Sequence, residues 1–250
     1  MKTINRVIIW IKTIMYYLLS IKSNRKSTIM TIEETINYIK RTRRSVIRLG
    51  DGEFNILNGK SIHYQNHSPK LSDQLQQIIN EYIENYPNID YLLCMPKEYL
   101  TPNGFRFILN RKLISSWAYS RFVFKKKYDL DIEYGNSFIF GRGNELIYSN
   151  IWNSPDVTRV IFVHNSKSYG EIFNERYNIE TKTIVIPEKN AFDSIEKTYL
   201  SIKENIDDFD KTLVLISAGP SAKVLTWKLS KDGIWAIDTG HCWDDPLIIK

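Results

Sequence analysis

The second half of the chain alternates short apolar runs with polar loops and helical stretches, and this pattern restricts the folds that the chain can adopt. Five apolar runs in this half predict strands, at Ser137–Phe140, Arg159–Val163, Thr183–Ile186, Thr212–Ser217 and Ile234–Ile237. Residues with helical spacing, at about 169–177, 192–205 and 220–231, separate the later runs. Continuous apolar strands alternating with helices are typical of a parallel sheet covered on both faces. The sequence therefore predicts an α/β fold with a mostly parallel sheet.

The first half contains elements compatible with the same architecture. A capping-box pattern, Thr31–Glu34, predicts a helix that runs to about Lys40. Apolar runs at Ser45–Leu49 and Asp90–Met95 predict two further strands. Helical spacing covers residues 72–86, and one or two more helices are expected within 103–127.

Composition narrows the class of protein without identifying it. Hydrophobic residues make up 43% and charged residues 25% of 250 residues, which is typical of a globular protein. Cys94 and Cys242 lie far apart and form no metal-binding spacing, so we expect a reducing, cytoplasmic environment and no structural zinc site. The net charge of +6 permits binding to phosphates, nucleic acid or an anionic membrane, but selects none of them.

The basic excess is concentrated at the N-terminus. Residues 1–28 contain six basic residues and no acidic one. The apolar run Val7–Ile21 has 15 residues and includes Lys12, whereas a bilayer-spanning helix needs about 20 apolar residues. Two interpretations remain, an amphipathic helix on the inner face of the plasma membrane or a helix buried against the domain, and the unopposed basic charge favours the membrane. We treat residues 1–28 as a separate segment and residues 29–250 as one domain.

The ends of the predicted strands are where a ligand site is expected, because ligands of open α/β sheets bind beyond the carboxyl ends of the strands. Arg48–Glu53 follows one strand and contains two carboxylates, Asp51 and Glu53, flanked by Gly50. In an extended segment these two side chains point the same way, so they could face one Mg²⁺ or Mn²⁺ ion. The alternative is a surface turn, since Asp-Gly is a common turn dipeptide.

A second strand end is followed by small residues and a proline. Its candidate ligand-binding residues are Ser217, Gly219, Pro220, Ser221 and Lys223. A proline at the first helical position predicts a helix start whose backbone N–H groups and hydroxyls could hold a phosphate. The alternative is a tight strand-to-helix connection with no ligand.

Other strand ends offer isolated polar side chains, namely Arg142, His164, Asn190, Asp238 and His241. An arginine here could pair with a phosphate, and an asparagine at a helix start could read a polar ligand. The aspartate and the last histidine could contact a metal, a ribose or an acceptor. Each of them alone also fits a structural role, and for His164 a surface position is the stronger expectation.

Four motifs taken in order carry a resemblance. They are RLGDGEF at 48–54, IPEKNAF at 186–192, ISAGPSAKVL at 216–225 and AIDTGH at 236–241. Over about residues 29–245 the chain resembles the GT-D glycosyltransferases, a bacterial family typified by streptococcal adhesin glycosylation. The resemblance implies a Rossmann-like fold, a UDP-sugar donor and a divalent cation, Mn²⁺ most often or Mg²⁺, handled by an Asp-x-Glu motif that corresponds to Asp51 and Glu53.

The resemblance and the residues together assign provisional roles. Glu53, helped by Asp51, is expected to handle the metal, and His241 is a third candidate catalytic residue. The groups expected to hold the diphosphate or ribose are Arg48, Gly50, Arg142 and the turn at 217–223. The groups expected to position the nucleotide or acceptor are Asn190 and Asp238.

Two alternatives from other functional classes stay open. A metal-dependent phosphohydrolase would also use strand-end carboxylates, but it would need further ligands, such as His63 and His67. A basic nucleic-acid-binding module is allowed by charge, although the aromatic residues do not interleave with a basic stripe, so no nucleic acid is expected as a partner. For a transferase, the expected acceptor is a bacterial surface polysaccharide or glycoprotein glycan, which could be lipid-linked.

Overall fold

Eight parallel strands form one sheet in the computed structural model, which describes residues 2–21, 27–101, 117–240 and 242. The strands are β1 Thr28–Ile29, β2 Ser45–Arg48, β3 Tyr91–Met95, β4 Glu133–Asn136, β5 Arg159–His164, β6 Glu180–Val185, β7 Thr212–Ile216 and β8 Ala236–Asp238. Their order across the sheet is β1-β4-β3-β2-β8-β7-β5-β6. The predicted α/β class with a parallel sheet is confirmed.

Helices connect most of these strands. They are α1 Lys2–Ile21, α2 Ile32–Thr42, α3 Asp51–Leu57, α4 Pro69–Asn85, α5 Lys97–Leu100, α6 Ala118–Val123, α7 Glu145–Tyr148, α8 Lys167–Tyr177, α9 Ile195–Glu204 and α10 Pro220–Lys231. A π-helical turn at Phe124–Tyr128 extends α6, and a 3₁₀ turn at Ala191–Ser194 precedes α9. Residues 102–116, within which further helix was predicted, lie outside the described part of the chain.

Both faces are buried at the central strands of the sheet, which explains why β3, β5 and β7 are apolar at nearly every position. In β2, Ile47 belongs to one hydrophobic cluster and Val46 to the other. In β5, Val163 and Phe162 divide between the clusters in the same way. Because successive strand side chains point to opposite faces, a strand covered by helices on both sides needs apolar residues at every position.

One predicted strand is misplaced. Ser137–Phe140 forms turns, and the strand is the preceding, more polar segment Glu133–Asn136. Asn136 ends the strand, because its side-chain Oδ1 accepts the backbone N–H of Phe138 at 2.9 Å. The capping box at α2 is confirmed: Thr31 Oγ1 accepts the Glu34 N–H at 3.2 Å, and the Glu34 carboxylate accepts the Thr31 N–H at 2.7 Å.

The strand order brings three chain segments together. β8 lies between β2 and β7, and the three strands run parallel. Their carboxyl ends therefore meet at one edge of the sheet, so the turns that follow them are neighbours although they are far apart in sequence. Within the described ranges, no helix is both long and apolar enough to span a bilayer.

Candidate functional site

A cavity of about 430 Å³ opens at the carboxyl ends of β2, β5, β6, β7 and β8. Its volume falls in the range of small-molecule sites, about 300–1,000 Å³. Polar side chains that line it include Arg48, Asp51, Glu53, His63, Tyr64, Gln65, His164, Asn165, Ser217 and Lys223. The cavity lies where ligands of open α/β sheets bind.

The acidic turn after β2 is helical rather than extended. α3 begins at Asp51, so Asp51 and Glu53 both stand in its first turn. At 3.6 residues per turn, side chains two positions apart point in different directions, and the predicted shared orientation of the two carboxylates is wrong. Both nevertheless line the cavity. Glu53 Oε2 accepts the Gly50 N–H at 2.8 Å and so helps to cap the helix.

Glu53 is also part of a buried ionic cluster beneath the cavity. Lys223 Nζ lies 3.2 Å from Glu53 Oε1 and 3.0 Å from Asp238 Oδ2. Lys223 and Glu53 are each 5% exposed, and Asp238 is fully buried. Burial lowers the pKa of Lys223, but the carboxylates of Asp238 and Glu53 outweigh it, so the net pKa is raised and the ammonium stays charged.

Arg48 is held by the end of β8. Its Nε donates to the Asp238 carbonyl at 2.7 Å and its Nη1 to the Ser137 carbonyl at 2.8 Å, while its own N–H donates to Asp238 Oδ2 at 3.1 Å. Gly240 makes room for the guanidinium, because a Cβ at that position would lie 2.0 Å from Arg48 Nη2. Arg48 lines the cavity, whereas Asp238 lies below it and orients Arg48 and Lys223.

The turn after β7 is a helix start, as predicted, but its donors are partly used. α10 begins at Pro220, and the N–H groups of Ser221 and Ala222 already donate to the carbonyls of Ala218 and Gly219. Ser221 is buried and does not line the cavity. The turn therefore offers a ligand fewer backbone donors than its sequence suggests.

Gly219 is needed for a close approach across the cavity. Its φ is +55°, and a Cβ built there would lie 2.6 Å from Tyr64 Cε2. Tyr64 thus packs directly on the turn after β7. Burial raises the pKa of the Tyr64 hydroxyl, with a further contribution from the Glu53 carboxylate.

Asn190 acts on a neighbouring loop rather than on the cavity. Its N–H donates to the Tyr64 carbonyl at 2.9 Å, and its Oδ1 accepts the Asn66 N–H at 2.8 Å. It does not line the cavity, so the structure does not place it as the predicted ligand contact. Its φ of +53° suits asparagine better than most other residues. Asn190 instead fixes the loop that carries Tyr64.

The remaining predicted residues divide three ways. Arg142 is exposed and lies away from the cavity lining, so the structure does not bring it to the site. His241 lies outside the described residues. His164 is buried and lines the cavity, which corrects its expected surface position; its Nδ1 accepts the Ser166 N–H at 3.1 Å. Its position at the end of β5 was the signal in the sequence.

Tyr64 and Trp117 also line the cavity and were not predicted as site residues. Tyr64 belongs to a loop between helices, and Trp117 precedes α6, so neither stands at a strand end. Only their tertiary contacts bring them to the carboxyl edge of the sheet. The sequence carried no local signal for either residue.

The fit of a divalent cation depends mainly on Asp51. Among the described residues, no group of three histidine, cysteine, aspartate or glutamate side chains could hold a metal ion. Glu53 already interacts with Lys223 and Gly50. Burial raises the pKa of Asp51, and the neighbouring Glu53 charge raises it further. The residues therefore fit an ion such as Mg²⁺ or Mn²⁺ that takes one or two carboxylates and completes its shell with substrate phosphates and water.

Comparison with known proteins identifies a family with this architecture. The family model described as glycosyltransferase GT-D fold matches residues 46–245. The probable glycosyl transferase Gly of Streptococcus gordonii is 25% identical over 233 residues, covering 87% of this chain and 32% of the relative. Glycosyltransferase GlyD of Streptococcus pneumoniae is 28% identical over 229 residues, covering 84% of this chain and 26% of the relative. The chain thus spans about a third or less of the length of these two proteins.

Solved structures show the same fold. A glycosyltransferase from Streptococcus sanguinis, domain of unknown function 1792, superposes with a TM-score of 0.69 at 25% identity, covering 87% of this chain and 82% of that chain. A second structure of this domain, described as a distinct glycosyltransferase fold, has a TM-score of 0.70 at 26% identity, covering 91% of this chain and 81% of that chain.

Proposed function

The chain belongs to the GT-D-fold glycosyltransferase family, and from this premise we propose that it transfers a sugar from a UDP-sugar to a hydroxyl group of a glycan. In this reaction the bond between the sugar C1 and the diphosphate breaks, and a bond from C1 to the acceptor oxygen forms. The acceptor proton passes to a base, and UDP leaves. The leaving diphosphate gains negative charge, which the site must stabilise.

The observation that carries the proposal is the set of charges at the carboxyl edge of β2, β7 and β8. Arg48 and Lys223 are basic groups that line the cavity, and both are fixed by Asp238. Since these contacts hold the two side chains in place before a ligand binds, they are preorganised hydrogen-bond donors for the diphosphate oxygens. The turn at Gly219 brings backbone close to the same space.

We further propose that Asp51 binds a divalent cation, Mn²⁺ or Mg²⁺, together with the donor diphosphate. The buried cluster of Glu53, Asp238, Arg48 and Lys223 has two carboxylates and two basic groups and is balanced. Asp51 lines the cavity beside it and adds a third carboxylate, whose pKa is raised mainly by burial and further by the Glu53 charge. When bound, a divalent cation would neutralise charge on the diphosphate. Glu53, in the same helical turn as Asp51, keeps its contact with Lys223.

We propose a bacterial surface polysaccharide or glycoprotein glycan as acceptor, and the inner face of the plasma membrane as the place of reaction. Cys94 and Cys242 are both buried thiols, and a reducing compartment keeps thiols in this state. The relatives named as glycosyltransferases are bacterial, which supports a bacterial glycan as the acceptor.

A thermal-shift screen of UDP-sugars, other nucleotide sugars and UDP, each with and without Mn²⁺, tests the proposal. We expect UDP ligands to raise the Tm most, and more with Mn²⁺ than without it, because binding to the folded state stabilises it. Asp51→Asn should keep the fold but lose the Mn²⁺-dependent part of the shift. Asp73→Asn, which replaces an exposed carboxylate on α4, is the matched control and should behave as wild type.

Two results would contradict the proposal. If no nucleotide sugar raises the Tm, with or without Mn²⁺, the proposed UDP-sugar donor is ruled out. Release of inorganic phosphate from simple phosphate esters, abolished by Asp51→Asn, would instead identify a phosphohydrolase. A product assay with the preferred donor then distinguishes sugar transfer from hydrolysis of the donor.

A further inference from the structure

The N-terminal helix α1 directs most of its apolar side chains away from the domain. Nine large hydrophobic residues of α1 are 42–61% exposed. Ile9 and Trp10 lie towards the domain side near the N-terminal end, and the other seven share the opposite side of the helix, which we call the outer face: Val7, Ile8, Ile11, Ile14, Met15, Leu18 and Leu19. The rest of the described chain contributes five exposed large hydrophobic residues, spread over several elements. A contiguous apolar surface of this kind marks an interaction site.

The side of α1 that contacts the domain is narrow and partly polar. Thr13, Tyr17 and Ser20 are buried, at spacings that place them on one stripe of the helix. Arg121 of α6, itself fully buried, donates from Nε to Ser20 Oγ at 3.1 Å, and the Tyr16 ring packs on Phe122 at 5.2 Å. A surface helix normally turns its apolar stripe to the core. α1 has the opposite orientation, and its contacts with Arg121 and Phe122 hold it there.

The charge of the N-terminal segment, read from its sequence, favours an anionic lipid surface as the partner of the outer face. Residues 1–28 include six basic residues and no acidic one: Lys2, Arg6, Lys12, Lys22, Arg25 and Lys26. Lys12 is exposed between the apolar residues. Basic residues beside a helix with exposed aromatic and aliphatic side chains match the acyl and headgroup layers of an anionic membrane. A second copy of α1 would bring like charges together, which disfavours self-association.

We propose that the outer face of α1 binds the surface of an anionic bilayer, with the helix lying in the membrane plane. The stripe at Thr13, Tyr17 and Ser20 stays on the domain and sets the orientation. Tyr17 packs against Trp117, which also lines the cavity, so the bound bilayer would adjoin one wall of the cavity. This proposal does not depend on the transferase activity, since lipid binding is measured without any sugar donor.

Sedimentation of the full chain with vesicles tests the proposal. Vesicles of phosphatidylcholine and phosphatidylglycerol in equal parts are compared with vesicles of phosphatidylcholine alone. We expect binding to the anionic vesicles, weakened by high salt, and at least about tenfold weaker for Ile11→Glu combined with Leu18→Glu, because these charges would have to enter the apolar layer. Lys12→Gln should weaken binding by about fivefold, the effect of one basic charge near an anionic surface.

Matched controls separate the outer face from general surface effects. Leu146→Glu combined with Leu200→Glu places the same charges on exposed leucines of α7 and α9, and Lys60→Gln removes an exposed lysine elsewhere. These variants should bind vesicles as wild type does. Unchanged thermal unfolding of every variant shows that the fold is retained. Deletion of residues 1–28 is a poorer test, because it would leave the buried Arg121 without Ser20.

Two outcomes would overturn the proposal. In one, the chain does not bind anionic vesicles, or the outer-face and control variants bind equally well. In the other, wild type is a dimer by sedimentation velocity, Ile11→Glu makes it a monomer, and neither binds vesicles; the outer face would then be an interface between two copies. A blue shift of tryptophan emission on adding anionic vesicles, lost in Trp10→Phe, would directly support entry of the N-terminal end of α1 into the bilayer.

Discussion

The turns after β2 and β7 have similar geometry and opposite chemistry. Each connects a buried strand directly to a helix at the carboxyl edge of the sheet, and β8 lies between the two strands. The turn after β2 carries two carboxylates, Asp51 and Glu53. The turn after β7 carries small residues, and Lys223 follows one helical turn after Gly219.

The two turns depend on each other. Glu53 caps its own helix through the Gly50 N–H and also pairs with Lys223 from the other turn. Gly219, in turn, leaves the space that Tyr64 fills. The turn after β2 supplies the carboxylate of Glu53, and the turn after β7 leads to the ammonium group of Lys223 that pairs with it. Substitutions in the two turns should therefore change the stability of the protein by different and measurable amounts.

The largest effect is expected for Lys223→Met. The change leaves the buried carboxylates of Glu53 and Asp238 without their shared cation, which should lower the free energy of unfolding by about 3–5 kcal/mol. Urea denaturation at pH 7 measures it. Lys228→Met, on the same helix, removes a partner of Glu196 in a more exposed pair and should cost less than about 1 kcal/mol. Equal losses in the two variants would show that the buried cluster does not couple the turns.

Gly219→Ala should have the next largest effect. A residue with a side chain at positive φ costs about 1–2 kcal/mol, and the clash of the new Cβ with Tyr64 adds about 1–3 kcal/mol. Gly233→Ala is the matched control, with φ +74° and nothing within 4 Å of the added Cβ. The difference in unfolding free energy between the two variants reports the clash. Adding Tyr64→Ala should relieve the clash in Gly219→Ala and leave Gly233→Ala unaffected; equal responses would contradict the contact.

Glu53→Gln should have a smaller effect. The amide retains an oxygen that can accept the Gly50 N–H, but it loses the ionic contact with Lys223. We expect a loss of about 1.5–3 kcal/mol, the value of a hydrogen bond to a charged group. Glu53→Ala, which removes the cap as well, should be less stable than Glu53→Gln. Identical unfolding midpoints for the two variants would mean that the cap contributes nothing.

The smallest effect, and one of opposite sign, is expected for Asp51→Asn. The pKa of Asp51 is raised above 3.8 in the folded state, mainly by burial and also by Glu53. The folded state therefore holds this proton more tightly than the unfolded state, and wild-type stability falls as the pH rises through the folded-state pKa. Asp51→Asn removes this fall, so its Tm should exceed that of wild type by about 2 °C at pH 7 and match it near pH 3.5. A lower Tm than wild type at pH 7 would contradict a raised pKa of Asp51 in the folded state.

Several features of the site were predictable because they are local. Four strands that carry the site, β2, β5, β7 and β8, could be read from their apolar composition, because both faces of the sheet are buried there. The edge strand β6 is partly exposed. The start of α10 follows from Pro220, whose fixed φ and missing N–H suit the first helical position. Arg48, Glu53 and Lys223 were predicted as site residues from the strand ends they follow, and all three line the cavity.

Other features depended on contacts between distant segments. Asp51 and Glu53 were interpreted as an extended pair, but Glu53 caps a helix that starts at once after the strand. Asn190 looked like a ligand contact because it follows a strand, yet its bonds go to the loop at Tyr64. The strand predicted at Ser137–Phe140 was misplaced because a short apolar run in a turn has the same local composition as one in a strand.

The sequence by itself determined the α/β class, most strands of the sheet, the edge at which a site would form, and the residue types available there. These follow from periodicity, turn residues and the rule that parallel strands end at a common edge. Only the tertiary structure decided that β1 and α3 form, that Lys223 crosses to Glu53 and Asp238, and that α1 turns most of its apolar residues outward. The physical reason is that pairing, burial and exposure depend on which distant segments meet, and local patterns do not specify those partners.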